Sequence, residues 1–158
     1  SIKKVTQRVI ELGDKKEIVT VDDLPYIIAD VLKHDKVHDK VKVINYALNL
    51  SQGLRPSATI KLSINDVEYQ QFAVGDGQYD AFVKAVKLIY TDNLKREFPT
   101  LTNYMVNIPP GGRTDALVQA NITWLYKGHT IKTRGLDADQ IEAAIQATVK
   151  MLNIIENL

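Results

Sequence analysis

Gly75-Asp76-Gly77-Gln78-Tyr79-Asp80-Ala81-Phe82-Val83-Lys84-Ala85-Val86 is the stretch on which the fold turns. An alternating strand pattern enters it, the Gly-Asp-Gly turn redirects the chain, and a helix with apolar periodicity leaves it. A related construction returns near the C-terminus as Arg134-Gly135-Leu136-Asp137-Ala138-Asp139-Gln140-Ile141-Glu142-Ala143-Ala144-Ile145. Laying Asp80 on Asp139 places Lys84-Ala85-Val86 on Ala143-Ala144-Ile145. The chain therefore reads as two copies of one strand-turn-helix unit, with the turns as the place to look for function.

Working outward, residues 41–50 alternate, and Lys42, Ile44, Tyr46, Leu48 and Leu50 form the expected buried face. Ser51 to Pro56 is a turn. Ala58, Ile60, Leu62 and Ile64 mark the inward side of a second strand, Asn65-Asp66 a hairpin turn, and residues 67–74 a third strand. The first helix is expected over 76–90, with Ala81, Ala85, Leu88 and Ile89 inward. A polar stretch over 91–99 closes the unit. The second unit repeats the order: a strand over 101–108, a stiff turn at Pro109-Pro110-Gly111-Gly112-Arg113-Thr114, a strand over 116–126, a tight turn at Lys127-Gly128-His129, and a strand over 130–134. Its helix is expected over 137–153, with Ile141, Ala144, Ile145, Thr148, Val149 and Leu152 on one face. Trp124 and Tyr126 read as core or dimer contacts.

Ahead of this repeat, Ile2, Val5, Val9 and Leu12 stand at helical spacing and Gly13 suits the end of a helix. Thr20 with Asp23 resembles a capping box, and Pro25 falls in the first turn of a second helix carrying Ile27, Ile28, Val31 and Leu32. The expected architecture is α+β: two βββα units, antiparallel sheets with helices on one face, plus an N-terminal helical linker segment. The domains divide as 1–38 and 41–158. The chain starts at Ser1 without Met, which points to a piece of something longer.

At 158 residues the chain can bury roughly 70% of its unfolded surface in one domain. It has no cysteine, which excludes a thiol nucleophile or thiolate metal site and fits a reducing, cytoplasmic setting. Twenty basic residues nearly balance 19 acidic ones, for a net charge of +1, so neither nucleic acid nor a membrane surface is indicated as a partner.

Enzymatic motifs are missing. His34, His38 and His129 form no His-x-His or His-Glu-x-x-His pair, though His34 and His38 stand four apart and could share a helix face. There is no Gly-x-Ser-x-Gly elbow and no Walker phosphate loop. Gly75-Asp76-Gly77 lacks the third glycine of a dinucleotide fingerprint, and its aspartate would repel a pyrophosphate. The helix starts are better candidates. Unpaired N–H groups and the positive dipole end suit a carboxylate, while Asp80 or Asp139 could hold the ammonium of the same ligand. An amino acid carries both charges. Acidic residues in a first turn are also favourable by themselves, by about 0.3–1 kcal/mol, so from residue types alone the favourable first-turn placement is the stronger reading.

These residues, with Gly112-Arg113-Thr114-Asp115-Ala116 and Thr133-Arg134-Gly135-Leu136-Asp137-Ala138-Asp139-Gln140, resemble the C-terminal part of the 2-isopropylmalate synthase and citramalate synthase family over residues 41–156. Glu11 to Lys16 and Thr20 to Leu24 resemble the helical linker after that family's catalytic barrel. The resemblance implies a detached allosteric domain that forms a homodimer and binds a branched-chain amino acid, leucine or isoleucine, for feedback inhibition. It implies effector contacts at Tyr79, Asp80, Leu101, Tyr104, Ile108, Thr114, Val118, Ala138 and Gln140. The acetyl-CoA and divalent metal of such enzymes belong to the barrel, whose His-x-His and catalytic acids this chain lacks. It is therefore expected to hold no cofactor, metal or catalytic residue of its own. One departure stands out: Gln78-Tyr79 occupies the place where leucine-sensing members often carry Pro-Val, which is more like the isoleucine-sensing citramalate type. Leucine and isoleucine both remain open. Two other readings compete, a purely structural dimerisation module and a small metal enzyme using His34 and His38.

Overall fold

The computed structural model describes residues 39–108 and 117–158. The expected helical segment at 1–38, with His34 and His38, lies outside the described residues, as does the turn from Pro109 to Thr114. The described chain runs β1 (Val41–Asn49), β2 (Ser57–Ile64), β3 (Val67–Val74), α1 (Gln78–Leu88), β4 (Thr100–Asn107), β5 (Val118–Tyr126), β6 (His129–Asp137) and α2 (Gln140–Glu156). It forms two three-stranded antiparallel sheets, β1-β2-β3 and β4-β5-β6. Helix α1 packs on the first sheet, α2 on the second, and the helices touch each other. The α+β class and its two βββα units are as the sequence pattern indicates.

The hairpins follow from turn chemistry. Asn65 and Asp66 have φ of 52° and 67°, and Lys127 and Gly128 have φ of 50° and 79°. Two successive left-handed residues match the twist of the strands they join. In β2 the alternation is regular, and Ala58, Ile60, Leu62 and Ile64 are all buried as expected.

The expected face of β1 is corrected. Val43 pairs with Leu62 and Asn45 with Lys61, so Ile44 has no partner of its own and forms a bulge. One extra residue reverses the alternation. Val41 and Val43 point inward before the bulge, and Tyr46 and Leu48 after it; Lys42, Ile44 and Leu50 are exposed. Strand β4 has the same device, with Thr102 skipped between Leu101 and Asn103. The Thr102 hydroxyl donates to the Thr123 carbonyl at 3.2 Å. Leu101 and Tyr104 thereby both join the core side.

The helices begin later than expected, at Gln78 and Gln140. Helix α1 buries Ala81, Phe82, Ala85 and Val86 and continues through a π turn at Ile89–Asn93 that buries Ile89 and Tyr90. Leu88 is only half-buried. Helix α2 buries Ala143, Ala144, Ile145, Ala147, Thr148, Met151, Leu152 and Ile155, and strand β6 extends three residues beyond Arg134 to Asp137. The register of the repeat is also corrected. Gly77 is the N-cap of α1, but Asp139 is the N-cap of α2. Gln78-Tyr79-Asp80-Ala81 therefore corresponds to Gln140-Ile141-Glu142-Ala143, and Asp80 to Glu142, not Asp139. In this register Ala58, Ile60 and Leu62 match Ala120, Ile122 and Trp124, all buried.

One apolar cluster includes both units, from Val41 to Ile155, with Trp124 fully buried in it. The Trp124 indole N–H donates to the Thr133 hydroxyl at 3.3 Å. Among the described residues no buried side-chain nitrogen or oxygen lacks a partner. No helix among them is long and apolar enough to cross a membrane.

Candidate functional site

The turn before α1 is built around Asp80. Gly75 sits so close to the first helical turn that a Cβ there would collide with the backbone nitrogen of Ala81. The Asp80 carboxylate Oδ2 accepts from the Asp76 N–H at 2.8 Å and pairs with the Lys84 ammonium at 3.1 Å. Burial alone would raise its pKa, but the Asp76 N–H, Lys84 and Arg55 outweigh it and hold the carboxyl below its usual value. Arg55 also reaches Asp76 at 2.9 Å, on the exposed rim.

The two helix starts differ. At α2, Asp139 accepts from the N–H groups of Ile141 at 2.7 Å and Glu142 at 3.4 Å, and Asp137 accepts from the Asp139 N–H at 2.8 Å. At α1 the N-cap is Gly77, which offers no side-chain cap. The N–H groups of Gln78, Tyr79 and Asp80 precede the first helical bond, from Ala81 to Gly77 at 2.9 Å. First-turn donors of this kind carry the positive end of the helix dipole.

Tyr79, the second residue of α1, joins the two units. Its ring stacks on Tyr104 of β4 at 5.4 Å and on Phe82 at 6.4 Å, and Phe82 in turn meets the edge of Tyr46 from β1 at 6.0 Å. Its hydroxyl lies 2.6 Å from the Thr148 hydroxyl of α2. Thr148 uses its single proton on the Ala144 carbonyl at 2.8 Å, so Tyr79 is the donor. Burial pushes the Tyr79 phenol well above its ordinary pKa; the Thr148 bond opposes this and Tyr104 adds to it.

The expected effector residues thus fall in several places. Tyr79 and Tyr104 are in direct contact, and Asp80 follows Tyr79 in the same turn. Leu101 is half-buried against the core two positions from the end of the preceding turn. Val118, half-buried, pairs with Asp137, beside the exposed Ala138 and Gln140. Ile108 follows β4 and is 66% exposed. Thr114 lies outside the described residues. A separate shallow groove of about 240 Å³ on the second sheet is lined by Asn103, Met105, Asn121, Lys132 and Arg134, and contains none of the expected residues. Among the described residues no cluster of His, Asp or Glu could hold a metal ion. Sequence reasoning placed Thr148 on the inward face of its helix but missed its link to Tyr79; a hydroxyl within an apolar stripe was the available signal.

Residues 18–156 match the family model described as the LeuA allosteric (dimerisation) domain. The chain is 30% identical over 143 residues to a 2-isopropylmalate synthase of Oceanobacillus iheyensis, covering 90% of this chain and 27% of that protein. It is 32% identical over 156 residues to a putative (R)-citramalate synthase of Archaeoglobus fulgidus, covering 98% and 30% respectively. Against a 2-isopropylmalate synthase of Methanocaldococcus jannaschii it is 30% identical over 156 residues, covering 96% and 28%. The chain thus spans less than a third of the length of these curated relatives.

Proposed function

The chain belongs to the family of LeuA allosteric (dimerisation) domains, and from that premise we propose that it binds a branched-chain amino acid, leucine or isoleucine, as the regulatory, homodimeric part of an acetyl-CoA-dependent synthase. Effector binding feeds back on a catalytic barrel that acts on a 2-oxo acid in the cytoplasm. The domain of residues 41–158 holds the effector, and residues 1–38 are the linker toward the barrel.

The observation that carries the reading is the α1 start. Its N–H groups have no side-chain cap, which leaves them for the ligand carboxylate. Asp80, held ionised by its neighbours, sits in the same turn to face the ammonium. Leu101, Ile108 and Val118 supply aliphatic surface, Ala138 and Gln140 the rim at the second helix start, and Tyr104 the wall behind Tyr79. With its hydroxyl committed to Thr148, Tyr79 shapes the site through its ring. One branch or methylene in such a site is worth about 1–3 kcal/mol, enough for one of the two amino acids to be preferred clearly.

A second reading, dimerisation without an effector, is favoured by one fact: Asp80 and Asp139 are each engaged in their own turn. Calorimetric titration with leucine, isoleucine and valine separates the two. Binding is expected for leucine or isoleucine, with a stabilisation of about 2.7 kcal/mol at one hundred times Kd. Asp80→Ala is expected to abolish it in a folded protein. A dimer by light scattering with no response to millimolar ligand would leave only the second reading.

A further inference from the structure

The far end of α2 is tied to the place where the preceding segment enters the domain. The Asn153 side-chain amide binds both backbone groups of Val41: Oδ1 accepts from the Val41 N–H at 2.9 Å, and Nδ2 donates to the Val41 carbonyl at 3.1 Å. The Lys40 ammonium donates to the Glu156 carbonyl at 3.1 Å. The Asn65 N–H donates to the Lys40 carbonyl at 2.9 Å, and the Asn65 side chain reaches Glu156 Oε1 at 3.4 Å. The Glu156 side chain is only 3% exposed, held by Arg96 at 3.0 Å and by the Tyr90 hydroxyl at 3.0 Å.

This joint is not a by-product of the repeat. In the repeat register the counterpart of Asn153 is Thr91, whose hydroxyl turns back to the Lys87 carbonyl of its own helix at 3.0 Å. By strand pairing, Val41 faces Ile64, and the place facing the Ile64 counterpart Tyr126 falls to Pro99, next to Thr100 opposite Leu125; Pro99 has no N–H to offer. Among the described residues one helix end and one strand start carry this double hydrogen bond. It also crosses between units, because α2 belongs to the second and β1 to the first. Helix α2 has 17 residues, about 25 Å at 1.5 Å per residue. Ala138, the N-cap Asp139 and Gln140 stand at one end, and its last two turns carry Asn153 and Glu156 at the other.

We propose that Asn153 and Glu156 form the coupling joint of this domain, so that α2 carries effector occupancy at its first turn to Lys40–Val41 and thence to the preceding segment. The inference rests on the effector reading above. A packed helix moves as a body, and its two ends then share one displacement. Asn153 is a positioning residue here: it touches no ligand, and its part is to make Val41 respond when α2 does.

Amide hydrogen exchange on the 158-residue chain tests this, with L-leucine and L-isoleucine as the probes and calorimetry on the same samples. In the wild type the bound amino acid is expected to change exchange at the Val41 amide roughly fivefold or more, together with Ile141 and Glu142 in the first turn of α2. In Asn153→Leu the first-turn change is expected to persist while the Val41 response disappears. Lys40→Met, a milder variant for the case where Asn153→Leu does not fold, should diminish it. Binding by calorimetry with no change at Val41 in the wild type overturns the joint and leaves the effector reading standing. A Val41 response undiminished in both variants overturns it too. No binding of either amino acid removes the effector reading, and the joint with it.

Discussion

One hydroxyl pair, Tyr79 and Thr148, ties together two helices whose residues stand 69 apart in sequence. The direction of that bond is fixed by Thr148, which gives its proton to Ala144. The two deletions are therefore unequal. Tyr79→Phe removes a donor and leaves Thr148 still satisfied through Ala144, at a loss of about 0.5–1.5 kcal/mol. Thr148→Val strands the Tyr79 hydroxyl against an apolar helix face, at about 1–3 kcal/mol. Urea denaturation should rank Thr148→Val as the more destabilising; the opposite order would reverse the donor assignment. The sign with pH follows from the raised phenol. Stability from a group whose folded pKa exceeds its ordinary 10.0 is fully present below that pH and is lost as pH rises beyond it. Tyr79→Phe should therefore lose stability less steeply than the wild type above pH 10. The residue types were legible in the sequence, and so was the inward placing of Thr148. The bond was not, because a contact between distant segments leaves no local spacing to read.

At the scale of elements, the contact between β6 and α2 is set by small residues. A Cβ on Gly135 would overlap the Ala143 carbonyl oxygen and press on the Gln146 side chain. Ala143, Ala144 and Ala147 make the helix face thin enough for this approach. A backbone carbonyl cannot swing aside as a side chain can, so Gly135→Ala forces the whole helix outward. The expected loss is about 3 kcal/mol, at the upper end for overpacking. Gly77→Ala, where nothing lies within 4 Å, serves as the control, with an expected loss below about 1 kcal/mol because only the N-cap preference changes. Equal losses in thermal unfolding would remove the close-packing account. Elements were the most legible level of this chain. Periods of two, the Asn65-Asp66 and Lys127-Gly128 turns and the apolar helix stripes located every strand and helix among the described residues. The face of β1 was not legible, because a bulge at Ile44 changes which alternate residues are buried without changing the pattern of residue types. The repeat register failed for a related reason. Asp80 and Asp139 are both acidic residues near a helix start, yet one is the third residue of its helix and the other the N-cap.

For the molecule as a whole, the sequence disclosed two copies of a unit but not their interlocking. Tyr79 of the first unit lies on Tyr104 and Thr148 of the second. Asn153 and Glu156 of the second hold Val41, Arg96 and Tyr90 on the first side. Between them the rings of Tyr90, Phe98 and Trp124 make a continuous edge-to-face run at 5.5 and 6.3 Å. A sheet of three strands with one helix buries too little apolar surface to stand alone, so neither unit should persist when the other opens. The single tryptophan makes this measurable, since Trp124 reports the second unit while circular dichroism reports both. Urea unfolding followed by Trp124 fluorescence and by far-ultraviolet circular dichroism should give coincident transitions. Arg96→Met, which takes the cation from the nearly buried Glu156 carboxylate, should lower both midpoints together although Arg96 lies far from Trp124 in sequence. A circular dichroism transition that begins while Trp124 fluorescence is still native would show the first unit opening alone. In that case β1 could part from an intact α2, and the joint at Val41 would lose its mechanical basis.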